Sequence, residues 1–307
     1  MYIHLHGHSH YSLLEAIGQI QPLINKTKEL WFDTIALTDY HGMYGIMEFY
    51  TKANKQGIKP ICGIELTVTH TIGRRPQGDQ FITLIAENYE WYLNLLKITT
   101  LANTKWHDGV PTIDYQTLKE LHSWLLCIIW SPRSVLGYTI NQGREDEIKR
   151  CIETMSDIFG DTLYLEITAQ SYTLEPALRP LNDQIISLSQ TYHLPVIVST
   201  NFHYINKSDH RAYEVALAIK DQTMMSDDKR RKIKGEYYIM SEWEVFDILI
   251  NNWYWEKQIE ELFATNQWLS DRVNLQLPKM TPKFPKYKNT PEMNELYERF
   301  QSYSLTK

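Results

Sequence analysis

Short apolar runs rich in β-branched residues recur along this chain: "IHLH", "TIALT", "PICGIELTV", "FITLIA", "LLCII", "LYLEI" and "PVIVST". Between most of them lie stretches with helical spacing, among them "IQPLINKTKEL", "YGIMEFYTKANKQG", "YLNLLKITTLAN", "EDEIKRCIETMSDIFG" and "LRPLNDQIISLSQTY". Strands that are apolar on both faces and alternate with amphipathic helices predict a parallel α/β sheet. Gly57 supplies a helix stop after the second helical stretch, and Pro60 precedes the next strand. About seven strand-and-helix units before residue 206 fit a (β/α) barrel better than an open sheet, and such barrels carry their functional residues at the C-terminal strand ends.

After residue 206 the pattern turns mostly helical. This stretch, residues 207–280, holds a charged loop, "SDDKRRKIKGEYYIMS", and the tail from 281 to 307 continues a Pro- and Lys-rich linker, "LPKMTPKFPKYKNTP". The expected organisation is thus a barrel over 1–206, a helical extension over 207–280 and a tail over 281–307.

Composition narrows the function classes. Hydrophobic residues make up 43% and charged residues 22% of the 307, ordinary for a globular chain. A net charge of -6 is not the basic field of an autonomous DNA binder. Cys62, Cys127 and Cys151 are odd in number and show no CxxC spacing, which suits a reducing, cytoplasmic setting without disulfides. No signal peptide and no apolar run of membrane-spanning length are evident.

The candidate chemistry lies at the start. His4, His6, His8 and His10 fall at every second position, so on a strand they share one face, and histidine is a common metal ligand. Other polar residues mark the ends of the later apolar runs: Asp39 in "LTD", Glu65 in "GIE" and His203 in "STNFH".

The stretches "HLHGHSHYSLLEA", "IALTDYHGMYGIMEFYTKANKQGIKPICGIEL" and "LPVIVSTNFHYINKSDHRAYEVALAIKDQTMMSDDKR" resemble the PHP (polymerase and histidinol phosphatase) superfamily. The nearer branch is the PHP domain at the N-terminus of bacterial DNA polymerase III alpha subunits. The resemblance covers residues 2–285 and implies a distorted seven-stranded (β/α) barrel with a mostly helical C-terminal extension. It also implies a trinuclear metal cluster at the strand ends.

Carried over residue by residue, His6, His8, Glu65 and His203 match family ligands. Glu15 stands where an acidic or histidine ligand is usual, and Asp39 fits a supporting hydrogen-bond role. Four positions depart: Tyr40 and Phe81 replace histidines, Gln170 replaces a histidine and Asn201 an aspartate. Phenylalanine cannot ligate, and neutral amides are poor ligands for divalent ions. A two-metal site needs anionic bridges to hold ions about 4 Å apart. The surviving set could still bind one divalent ion, zinc or manganese, and the full cluster is not expected. His41, one residue past a lost ligand, should point elsewhere.

His4 is expected to be a hydrogen-bonded core histidine, His10 a loop residue and Ser12 a turn cap. His70, His107, His122, His193 and His210 match no part of the pattern. The basic cluster Lys229, Arg230, Arg231, Lys232 and Lys234 reads as a solvated loop, or as a contact to DNA or a neighbouring domain.

Within the resemblance, the expected function is the PHP domain of a replicative DNA polymerase III alpha subunit, with a structural role in DNA replication. The polymerase core of the same chain would be its partner, with DNA and replisome subunits reached through it. The parent would be a DNA-directed DNA polymerase, a nucleotidyltransferase; these residues alone lack the paired aspartates of a palm and are not expected to extend a primer. The alternative is a free-standing metal-dependent phosphoesterase or 3′→5′ exonuclease. Template-dependent incorporation, metal analysis and phosphodiester hydrolysis separate these readings.

The nine tryptophans are oddly placed. Trp31 stands at a helix-to-strand turn, where glycine is usual. Trp124 and Trp130 flank a strand at positions where the family resembles glycine, and Trp91 is similar. Several of these codons are expected to encode glycine in the source, through a reassigned UGA.

Overall fold

The computed structural model describes residues 1–69, 80–104, 110–123, 125–130, 133–278 and 291–304. His70, His107, Trp124 and most of the Pro- and Lys-rich linker lie outside the described residues. Met1–Gln276 form one compact unit and Leu277–Lys307 a second, which carries a helix over Pro291–Ser304.

The first unit is built on a seven-stranded sheet: β1 (Thr34–Leu37), β2 (Lys59–Thr69), β3 (Phe81–Ala86), β4 (Thr112–Asp114), β5 (Leu125–Trp130), β6 (Leu163–Thr168) and β7 (Val196–Ser199). Neighbours run β1-β2-β3-β5-β6-β7, with β4 paired to β2 off this path. Strands β1, β3, β6 and β7 are buried at every position. A strand covered on both faces is under no pressure to alternate, so its sequence is a plain apolar run.

The two edges are joined by the N-terminal segment. His4 bridges Ile35 of β1, and Gly7 bridges Phe202 just past β7. Ala36 N–H donates to His4 O at 2.8 Å, Thr38 N–H to Gly7 O at 2.9 Å, and His8 N–H to Phe202 O at 2.8 Å. A Cβ at residue 7 would stand 2.0 Å from the Phe202 ring, so this closure demands glycine.

The expectation of a parallel sheet fails at β3, which is antiparallel to both β2 and β5. The apolar pattern of a doubly covered strand carries no direction, and a parallel neighbour needs a crossover of a dozen or more residues. The pairs β1–β2, β2–β4, β5–β6 and β6–β7 are parallel.

Helices pack outside this sheet. In α6 (Glu145–Phe159), Ile148, Cys151, Ile152, Met155, Ile158 and Phe159 form the buried stripe, and Glu145, Asp146 and Glu147 complement the positive N-terminal end. Helix α10 (Glu256–Arg272) is part of the wall. Its buried Asn266 donates to Ile3 O at 2.9 Å and Val198 O at 2.7 Å, and accepts from Val198 N–H at 3.0 Å. One amide thereby holds the N-terminal segment against β7. Cys62, Cys127 and Cys151 are buried and free. Among the described residues, no helix is long and apolar enough to cross a membrane.

Candidate metal centre

Each functional side chain is placed by a strand or its end. His6 and His8 come from the segment that closes the sheet, two residues apart on one face. Glu65 lies within β2 and Glu166 within β6; Asp39 and Tyr40 follow β1, Gln170 follows β6, and Asn201 and His203 follow β7. Phe81 starts β3. Because that strand runs antiparallel, its start meets the ends of its neighbours.

His6 Nε2 lies 2.8 Å from Glu65 Oε2, and His6 Nδ1 lies 3.1 Å from both Glu166 oxygens. Ser199 Oγ donates to Glu166 Oε1 at 2.5 Å. Burial opposes the charged imidazolium, but the Glu166 and Glu65 carboxylates outweigh it and raise the His6 pKa to about 10. Burial alone would raise the Glu65 pKa; His6 and His8 instead hold it below the usual carboxylate range.

His8 Nε2 is 3.2 Å from Glu65 Oε2, yet neither His8 ring nitrogen has a hydrogen-bond partner. Its ring stacks on Tyr40, centroids 4.0 Å apart and planes 7° from parallel. Burial drives the His8 pKa down. His203 packs against His8 at 4.6 Å between centroids and shares a hydrogen bond between its Nδ1 and Asn201 O at 2.8 Å. Burial, with His8 beside it, lowers its pKa as well.

His6, His8 and Glu65 offer ligand atoms within 4.8 Å of one another, all buried. The unpartnered nitrogens of His8 and the unpartnered Asn201 Oδ1 are buried polar atoms suited to a ligand. Glu166 behind His6 makes the carboxylate–histidine pairing that orients a metal-binding imidazole. The donor set therefore fits one divalent ion.

The positions where the resemblance implies further ligands make other contacts. Tyr40 and Phe81, at two positions where the resemblance implies histidine ligands, place their rings 5.3 Å apart. Over them lies Arg133, its guanidinium carbon 5.4 Å from the Tyr40 centroid and 5.0 Å from that of Phe81, and it donates to Tyr40 Oη at 3.3 Å. Gln170 is turned to the backbone, donating to Thr200 O and Glu236 O and accepting from Glu236 N–H. Glu15 pairs with Lys220 and stands 4.0 Å from Arg133.

Asp39 accepts from Ser9 N–H at 2.7 Å, Ser9 Oγ at 2.7 Å and Ser12 Oγ at 2.6 Å. It ties down the loop after the histidines. Ser12 Oγ in turn accepts from Tyr40 N–H at 3.0 Å, a structural role. His4 is buried and bonded through Nε2 to Met240 O at 2.9 Å, and His10 is exposed. In the basic loop, Arg230 pairs with Glu214, Arg231 with Asp221 and Lys232 with Asp228.

Two participants were not singled out from sequence. Glu166 could have been: a carboxylate inside the apolar run "LYLEI" must find a partner. Arg133 gave no such signal, because its role depends on which rings the fold brings beneath it.

The PHP domain family matches residues 4–170, more than half of the chain. The chain belongs to the PHP domain family. DNA polymerase III subunit alpha of Borreliella burgdorferi is 27% identical over 312 residues, 99% of this chain and 26% of its own. The subunit of Thermus aquaticus is 30% identical over 248 residues, 78% of this chain and 20% of its own. This PHP chain thus spans about a quarter of the length of the curated relatives it matches. A solved putative metal-dependent phosphoesterase from Bifidobacterium adolescentis aligns with a TM-score of 0.44 and 11% identity, covering 81% of this chain and 96% of that one.

Proposed function

We propose that this PHP chain is the N-terminal portion of a replicative DNA polymerase III alpha subunit and acts as a structural barrel beside the polymerase core. Similarity over nearly the whole chain to such subunits supports this role in DNA replication. In this reading the polymerase core is the direct partner, and DNA and other replisome subunits are reached through it. Lys229 and Lys234 remain for a contact to phosphate or to a neighbouring domain, while Arg230, Arg231 and Lys232 pair with carboxylates of this chain.

The observation that carries the structural role is Arg133 lying over Tyr40 and Phe81 where the resemblance implies two ligands. A fixed guanidinium brings positive charge to that side of the site without an ion. On the other side, His6, His8 and Glu65, with His203 beside them, would hold a single zinc or manganese ion. Such an ion would supply Lewis-acid character and cross-link the N-terminal segment to β2. Glu166 fixes the His6 ring, Asp39 fixes the loop after His8, and Tyr40 covers the His8 face.

Purified protein loaded with zinc or manganese is tested against a 3′-labelled oligonucleotide and a generic phosphodiester. The proposal expects no turnover above a His6→Ala/Glu65→Ala control, and no template-dependent incorporation. Metal-dependent hydrolysis abolished in that control would favour the free-standing phosphoesterase or 3′→5′ exonuclease.

A further inference from the structure

Four helices of the first unit end in the same hydrogen-bonded turn, one of them at Gln222 after His210–Lys220. At the end of α2 (Ile46–Lys55), Gly57 N–H donates to Asn54 O at 3.1 Å and Ile58 N–H to Ala53 O at 3.0 Å. At the end of α1 (Ile20–Glu29), Trp31 N–H donates to Lys28 O at 3.1 Å and Phe32 N–H to Thr27 O at 3.0 Å. At the end of α9 (Glu242–Asn251), Trp253 N–H donates to Ile250 O at 2.9 Å and Tyr254 N–H to Leu249 O at 3.1 Å. This pair of bonds is the Schellman turn, and it requires a left-handed residue at the position after the cap. The angle φ is +76° at Gly57, +63° at Trp31 and +76° at Trp253.

Glycine adopts that conformation freely, and a bulky L-residue is an outlier there. His193 and Gln222 also have positive φ at helix ends, so a side chain is not forbidden. What sets the tryptophans apart is that the largest side chain sits in this turn and is hardly covered. Trp31 is 91% exposed and Trp253 79% exposed, the latter with Arg179 5.7 Å from its ring. The same lack of burial holds elsewhere. Of the tryptophans whose burial is described, Trp31, Trp243, Trp253, Trp255 and Trp268 are exposed and Trp91 is half-buried. Tryptophan is on average a highly buried residue type. At Trp31 and Trp253, left-handed backbone and slight burial therefore coincide.

We propose that positions 31 and 253 are glycine positions: in the organism that makes this protein, their codons are UGA read as glycine, and the tryptophans arise from translation by a code that reads UGA as Trp. The alternative occupant of these turns, a genuine exposed tryptophan kept for docking a partner, makes opposite predictions in each test below.

The gene's codons at 31 and 253, with peptide mass spectrometry of the protein from its source cells, decide the matter. UGA at both codons and glycine in both peptides is the expected result; UGG at either, or tryptophan in either peptide, overturns the proposal. The conformational premise is tested on recombinant protein. Trp31→Gly and Trp253→Gly should each raise Tm, by roughly 2–4 °C for a domain of this size. Trp31→Ala, which removes the ring but keeps a Cβ in the left-handed turn, should gain less than Trp31→Gly. A fall in Tm for either glycine variant would overturn it.

Discussion

The guanidinium of Arg133 lies 5.4 Å from the centre of the Tyr40 ring and donates to its hydroxyl at 3.3 Å. Tyr40 in turn stacks on His8, whose ring nitrogens are unpartnered. A protein-borne cation thus stands beside the ring that covers a candidate metal ligand. Arg133→Met is expected to raise the affinity for manganese or zinc several-fold by removing the like charge. Isothermal titration calorimetry of both proteins measures this; equal affinities would remove Arg133 from the account. Because Arg133 is partly exposed, its loss should cost at most about 1 kcal/mol of stability.

Asp39→Asn should destabilise the first unit by about 2–3 kcal/mol. The carboxylate accepts three hydrogen bonds from Ser9 and Ser12, and an amide replaces one acceptor oxygen by a donor aimed at donors. The midpoint of urea unfolding reports the loss, and an unchanged midpoint would show that the loop is held by other means.

Asn266→Ala removes the amide shared by Ile3 and Val198 and leaves buried backbone groups unsatisfied. A cost of roughly 2–4 kcal/mol is expected. Hydrogen exchange should show faster opening of residues 3–8 than of β5, since the segment is latched at its edge and β5 is interior to the sheet. Uniform acceleration would contradict this.

His4 gives the fold an acid limit. Burial lowers its pKa from 6.5 to about 4, against a smaller raising effect of its bond to Met240 O. Below pH 6.5 the unfolded chain takes up a proton that folded His4 refuses, so its contribution is complete above 6.5 and is lost as pH falls to about 4. The loss is on the order of 3 kcal/mol. His4→Gln should flatten the stability profile between these pH values, and a profile as steep as the parent's would show that other groups set the limit.

Much of this fold can be read from the chain because its strands are buried on both faces, which turns each into an apolar run such as "FITLIA". The reversed direction of β3 leaves no trace in such a run. His6, His8, Glu65 and His203 were visible as polar residues at run ends, and the structure brings the first three within 4.8 Å and packs His203 on His8. Glu15 is a weaker candidate on sequence, and Lys220 and Arg133 engage it. Those cations lie far from it in sequence, so only the folded chain reveals the competition. The turn at Trp31 was legible for the opposite reason: a Schellman cap is local, and its need for positive φ can be read from the residues on either side.

In the proposed function this PHP barrel holds one ion and not a cluster. The most direct test is the metal-to-protein ratio of apo-protein reconstituted with excess manganese or zinc and then desalted, measured by inductively coupled plasma mass spectrometry. A ratio near one is expected, falling to near zero in His8→Ala/Glu65→Ala. A ratio near three in the parent protein would contradict it.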